Sequence, residues 1–141
     1  MTTKHTEFRL TLASNPKQIQ KVEGFLEKVN EAAQLDEIQM NKVMISLTEA
    51  ANNAILHGNK SDASKKVHLT CEMLPGWLLF VVSDEGKGFD PDKVVSPLKD
   101  ENLLRASGRG VFLMKTLMDK VEFEHNTDGM VVRLWLNTSK L

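Results

Sequence analysis

The sequence predicts an α/β fold, a two-layer sandwich in which a mostly antiparallel mixed sheet is covered on one face by three helices. Three observations lead there. Short segments of alternating polar and apolar residues recur along the chain, and longer segments with apolar residues at helical spacing interrupt them. Their order is strand, two helices, two strands, helix, two strands, which suits an antiparallel sheet with its helices on one side. A length of 141 residues matches one domain around one core, so residues 1–141 read as a single domain.

Thr6 to Leu12 alternates, with Phe8, Leu10 and Leu12 on one side, and reads as the first strand. Ser14-Asn15-Pro16 opens a helix, because Asn15 can cap it and Pro16 suits the first helical position. Ile19, Val22, Phe25, Leu26 and Val29 carry its apolar stripe. Asp36, with Gln39 three residues on, starts a second helix through a capping box. That long helix runs to His57, and Gly58 reads as its left-handed cap. Val67–Met73 and Trp77–Ser83 are strands joined by a Pro75-Gly76 turn, so they are expected to form a hairpin. After Gly88 a stretch without strong period runs to Ser107, and residues 89–107 are expected to be a mobile lid. Gly108-Arg109-Gly110 opens a short helix carrying Val111, Leu113, Met114, Leu117 and Met118. Lys120–His125 and Met130–Leu136 are the closing strands around a Thr127-Asp128-Gly129 turn.

The long helix holds the most informative pattern. Met40, Val43, Leu47, Ala50, Ala51 and Ala54 form its apolar face, with Met44 and Ile55 at the edge. Lys42, Ser46, Glu49, Asn53 and His57 fall on one narrow polar stripe, flanked by Ile45 and Leu56. A carboxylate and an amide in such surroundings are costly unless each is solvated or partnered. Either the stripe opens to water or a polar ligand, such as a metal ion or a phosphate chain, lies on it.

Composition narrows the function. Hydrophobic residues make up 41% and charged residues 26%, the balance of an ordinary globular protein. With 18 basic and 19 acidic side chains and no basic stripe with interleaved aromatics, a nucleic-acid partner is disfavoured. No apolar run approaches the roughly 20 residues that span a bilayer, so no membrane partner is expected. Met1–Glu7 is polar, without the apolar segment of a signal peptide, and the expected location is the cytoplasm. A lone cysteine, Cys71, excludes an internal disulfide and a cysteine-cluster zinc site, and is expected to be a buried strand residue.

Two glycine clusters bracket the long loop. In Asp84-Glu85-Gly86-Lys87-Gly88 an acid leaves a strand and meets glycines that allow close backbone approach. Such a carboxylate is placed to accept a hydrogen bond from an exocyclic amine, although a plain turn reads the same way. Ser107-Gly108-Arg109-Gly110 precedes a helix, whose unpaired N–H groups and dipole favour an anion. Arg105 and Arg109 would add charge for a polyphosphate, or lie solvated on the surface.

Together, Glu49-x-x-x-Asn53, Asp84-x-Gly86-x-Gly88 and Gly108-x-Gly110 occur in an order that resembles the Bergerat-fold, histidine-kinase-like ATPase superfamily. Within it, Thr48-Glu49-Ala50-Ala51-Asn52-Asn53-Ala54-Ile55-Leu56-His57-Gly58 and Ser107-Gly108-Arg109-Gly110-Val111-Phe112-Leu113-Met114 look like the asparagine and second glycine boxes of the serine-kinase anti-sigma factors. The resemblance implies an ATP-dependent protein serine/threonine kinase using Mg2+, in a bacterial partner-switching pathway. It implies a sigma factor bound by this protein, an antagonist protein as phosphoacceptor, and a homodimer. The alternative of another class is a non-catalytic, ATP-gated binding module. By the same resemblance Asn53 ligates the metal, Glu49 is the general base, Asp84 takes the adenine amine, and Gly86 and Gly88 line the base. Gly108 and Gly110, with Arg105, Ser107 and Arg109, surround the phosphates. One departure stands out: relatives often carry a threonine just after the glycine of the final hairpin, whereas Gly129 is followed here by Met130 and Val131.

Overall fold

The computed structural model describes residues 6–86 and 109–139. Strand β1 spans Thr6–Ala13 and leads through a 3-10 turn at Pro16–Ile19 into helix α1, Gln20–Ala33. Asn15 caps that turn, its side chain accepting from the Lys17 amide at 2.9 Å. Helix α2, Glu37–Asn53, begins with the expected capping box: the Gln39 amide donates to Asp36 Oδ1 at 2.7 Å and the Asp36 amide donates to Gln39 Oε1 at 3.2 Å. Strands β2, Lys66–Leu74, and β3, Trp77–Asp84, follow. Helix α3, Arg109–Leu117, precedes β4, Lys120–Asn126, and β5, Gly129–Asn137.

The strands lie in the order β1-β2-β3-β5-β4, and every neighbouring pair is antiparallel. No parallel pair occurs among the described strands, so the sheet is simpler than the mixed one expected. Strand β3 sits at its centre, in register with β2 from Val67↔Asp84 to Leu74↔Trp77. Alternate residues on β2, β3 and β5, including Leu69, Phe80 and Leu134, are sealed against the helices. Leu26 and Val29 of α1, Val43 and Leu47 of α2 and Met114 of α3 meet them from the other layer. Cys71 belongs to this core, and burial pushes its thiol pKa up to about 12.

The apolar face read from α2 is the buried one, with Met40 and Met44 at its margin. The helix end differs from expectation. Gly58 does not adopt a positive φ and is no left-handed cap; Gly76 and Gly129 are the described glycines that do. Instead the chain widens into a π-helical turn over Ala54–Gly58, closed by the Asn59 amide on the Ala54 carbonyl at 2.8 Å. The wider turn carries Ile55, expected at the edge, fully into the core.

Candidate functional site

Helix α2 presents its polar stripe at graded depth. Ser46 is fully buried, Glu49 and Asn53 are half-buried one turn apart, and His57 is exposed. Ile45 and Leu56 beside them are 42% and 43% exposed, so the stripe opens towards solvent rather than into the core. Among the described residues, neither the Glu49 nor the Asn53 side chain makes a hydrogen bond or ion pair. A Cβ added to Gly110 would stand 2.5 Å from Glu49 Oε2. The glycine therefore lets the first turn of α3 rest on the Glu49 carboxylate. Free amides and the positive end of the helix dipole belong to that turn.

Among the described residues Ser46 Oγ is buried without a hydrogen-bond partner. An orphaned buried hydroxyl costs about 1–3 kcal/mol. Ser46→Ala is accordingly expected to leave thermal stability unchanged or raise Tm by roughly a few degrees. A thermal melt showing a clear loss would mean that the hydroxyl has a partner.

The second half of the site forms where β3 ends. Asp84 Oδ1 accepts from the Gly86 amide at 3.0 Å and from the Met130 amide at 3.2 Å. Desolvation raises the Asp84 pKa above its usual value, partly opposed by those two amides. Two glycines close on this residue and a third on Gly58 beside it. A Cβ at Gly58 would land on the Asp84 carboxylate, one at Gly129 on the Asp84 carbonyl oxygen, and one at Gly86 on the Gly58 carbonyl. Gly58 thus leaves space for the Asp84 carboxylate and is not a cap. Both amides fall on Oδ1, while Oδ2 is the atom that packs against Gly58. At position 130 it is thus a backbone N–H that holds the acid, and any residue except proline supplies one there.

Sequence reasoning missed Asn59 and Ser14, which are 1% and 2% exposed. Asn59 Nδ2 donates to Ser14 Oγ at 2.7 Å and to the Lys66 carbonyl at 2.9 Å, while Oδ1 accepts from the Glu85 amide at 2.8 Å. The only available signal was an amide directly after the helix-ending glycine, a pattern shared by many turns. Glu85 points the other way, its carboxylate taking the His68 ring nitrogen at 2.8 Å and the Lys66 amide at 2.9 Å. Those bonds lower its pKa.

The lid at 89–107, Gly88, Arg105, Ser107 and Gly108 lie outside the described residues, as does the side chain of Arg109. Glu49 and Gly110 are brought together, and Asp84 and Gly86 meet Gly58 at the end of the same α2 segment that carries Asn53. An open cavity of about 380 Å³ beside Asp84 is lined by Ser83, Asn126, Thr127, Asp128, Gly129 and Val131. Ser83 and Val131 alternate to the helix-free face of the sheet, so this cavity does not continue the Glu49–Asn53 stripe.

The donor set fits a nucleotide with a hard cation. Among the described residues no three His, Cys, Asp or Glu side chains converge as a metal cluster. An ion on the stripe would take one amide oxygen from Asn53 and its other ligands from phosphate and water, a shell magnesium accepts. Among the described residues no helix is long and apolar enough to cross a membrane.

Comparison with known proteins agrees with this arrangement. Over 105 residues the chain is 33% identical to the serine-protein kinase RsbW of Bacillus subtilis, a match covering 70% of this chain and 64% of that protein. It is 35% identical over 96 residues to serine-protein kinase RsbW of Staphylococcus aureus, covering 63% of this chain and 59% of the relative. The chain therefore spans somewhat under two thirds of these relatives. A crystal structure of the RsbU and RsbW domains of Rv1364c from Mycobacterium tuberculosis superposes with a TM-score of 0.70 at 15% identity, over 94% of this chain and 32% of that one. That likeness concerns the fold. Residues 12–136 match the model of the histidine kinase-like ATPase domain, and they include Glu49, Asn53, Asp84 and the whole of strands β2, β3 and β4. By its sheet, its α2 stripe and this match over most of its length, the chain belongs to the histidine kinase-like ATPase domain family.

Proposed function

We propose that this protein is an ATP-dependent protein serine/threonine kinase that acts as an anti-sigma factor in a bacterial partner-switching pathway. Its substrate on this reading is a serine or threonine of an antagonist protein, and it also binds a sigma factor. The observation that carries the catalytic part is the half-buried Glu49 carboxylate, unpaired among the described residues and resting on Gly110 at the first turn of α3. The similarity to proteins named serine-protein kinase supports it.

Phosphoryl transfer needs positioning, charge stabilisation and an acceptor for the hydroxyl proton. The antagonist's hydroxyl oxygen forms a bond to the γ-phosphorus as the bond to the bridging oxygen breaks and ADP leaves. Glu49 takes the hydroxyl proton as general base. The amides at the start of α3 face the phosphates, with Arg109 and Gly110 on that turn. Asp84 accepts from the adenine amine, and Gly86 lines the base. Bound Mg2+ supplies charge neutralisation on the phosphates, and Asn53 is the residue that would hold it. The protein works in the cytoplasm as a homodimer on this reading.

The test is to incubate the protein with labelled ATP and candidate antagonists from the same genome. One antagonist is expected to become labelled on serine or threonine. Magnesium-dependent nucleotide binding with no transfer to any of them would instead make the protein a nucleotide-gated binding module. Asn53→Ala is expected to weaken ATP binding at least tenfold in the presence of magnesium, and much less in its absence. Calorimetric titrations with and without the ion read this difference, and an equal loss in both would remove Asn53 from the metal site.

A further inference from the structure

Asn59 belongs to no motif that carries the site, yet it ties four segments together. Its Nδ2 reaches Ser14 just after β1 and the Lys66 carbonyl at the start of β2. Its Oδ1 takes the amide of Glu85, the residue following Asp84. Its own backbone amide closes the π-helical turn on Ala54, one residue after Asn53. Ser14 in turn donates to the Lys65 carbonyl at 2.6 Å, so its hydroxyl is oriented to accept from Asn59. Both amide protons and the amide oxygen of Asn59 are thus used, inside a residue that is 1% exposed.

This geometry has a consequence for the base end of the site. Gly58 and Gly86 touch backbone to backbone, and Asp84 is clamped against Gly58. Nothing covalent near this point sets the height of the Asp84-Glu85-Gly86 corner against α2; the two segments are 26 residues apart at the Asn59–Glu85 bond. Asn59 supplies that link from the helix side, at the residue adjoining Gly58. A carboxylate that reads an amine must be held to a fraction of an ångström, because a hydrogen bond weakens steeply with distance and angle.

We propose that Asn59 is a positioning residue for base recognition: through the Glu85 amide it fixes the Asp84 carboxylate relative to the helix that carries Glu49 and Asn53. Ser14 and the Lys66 carbonyl hold the Asn59 amide in the orientation that this requires. The proposal rests on the reading of Asp84 as the adenine acceptor.

The experiment compares the affinity of the full chain for ATP with that for purine riboside triphosphate, which lacks the exocyclic amine. Wild-type protein is expected to favour ATP at least tenfold. In Asn59→Ala that preference falls to within about threefold of unity, while affinity for purine riboside triphosphate changes by less than about threefold. Asn59→Asp keeps an oxygen for the Glu85 amide and gives up both donors. It is expected to melt at lower temperature and yet retain most of the preference for ATP. Wild-type protein without preference would overturn the Asp84 reading itself. Preference lost in Asp84→Asn but kept in Asn59→Ala would overturn the role of Asn59 alone. Should Asn59→Ala not fold, Asn59→Asp decides, and loss of the preference there would overturn the proposal.

Discussion

Glu49→Ala is expected to lower phosphate transfer by about 10²–10⁴-fold, the range supplied by a positioned general base. Affinity for ATP should stay within about threefold of wild type, because on the proposed general-base role the carboxylate acts on the attacking hydroxyl rather than on the nucleotide. Folding should survive, since Glu49 is half-buried and makes no bond among the described residues. Single-turnover transfer to the antagonist, measured beside a nucleotide titration, separates the two quantities. Transfer at the wild-type rate would assign the proton to another group. Loss of ATP affinity in step with transfer would make Glu49 a binding residue instead.

The second large effect is expected from Asp84→Asn. The variant keeps Oδ1 for the amides of Gly86 and Met130 but offers an NH2 where Oδ2 stood. Donor then meets donor at the adenine amine, and ATP affinity should fall at least tenfold, the ratio that about 1.4 kcal/mol produces. Stability should move in the opposite direction. Desolvation raises the Asp84 pKa, so the folded state holds this proton more tightly than the unfolded chain does. The wild-type protein accordingly loses stability as pH rises from the usual carboxyl value of 3.8 through the raised one, and carries the cost of the buried charge above it. Asp84 is only about half-buried, so solvent screens much of that cost. Thermal melts across pH should show the wild type falling relative to Asp84→Asn over this interval. A variant that binds ATP normally would end the assignment of Asp84 to the base. A variant that loses both binding and fold would mark Asp84 as structural.

Much of the fold was legible because its determinants are local. The alternation of Val67, Leu69 and Cys71 follows from a two-residue strand period, and the spacing of Val43, Leu47, Ala50 and Ala51 from a helical one. The capping box at Asp36 and Gln39 forms within one turn. The Glu49–Asn53 pair was legible for the same reason: four residues on a helix set both side chains on one face. The likeness to the ATPase family then added what spacing alone left open, the class of ligand.

What stayed hidden depends on contacts between distant segments. Gly58 looks like a helix cap in sequence, and only the packed structure brings the Asp84 carboxylate onto its Cα. The hold on Asp84 by Met130 uses a backbone amide, which every non-proline residue possesses and no letter of the sequence marks. Asn59 reads as an ordinary loop amide until β1, β2 and β3 converge on it. The amino-acid order alone determined the two layers, their strands and helices, and the polar stripe of α2 that carries Glu49 and Asn53. Tertiary structure decided why particular glycines and an unremarked asparagine are needed, since those requirements arise where backbones from separate segments meet at van der Waals distance, and periodicity carries no record of such meetings.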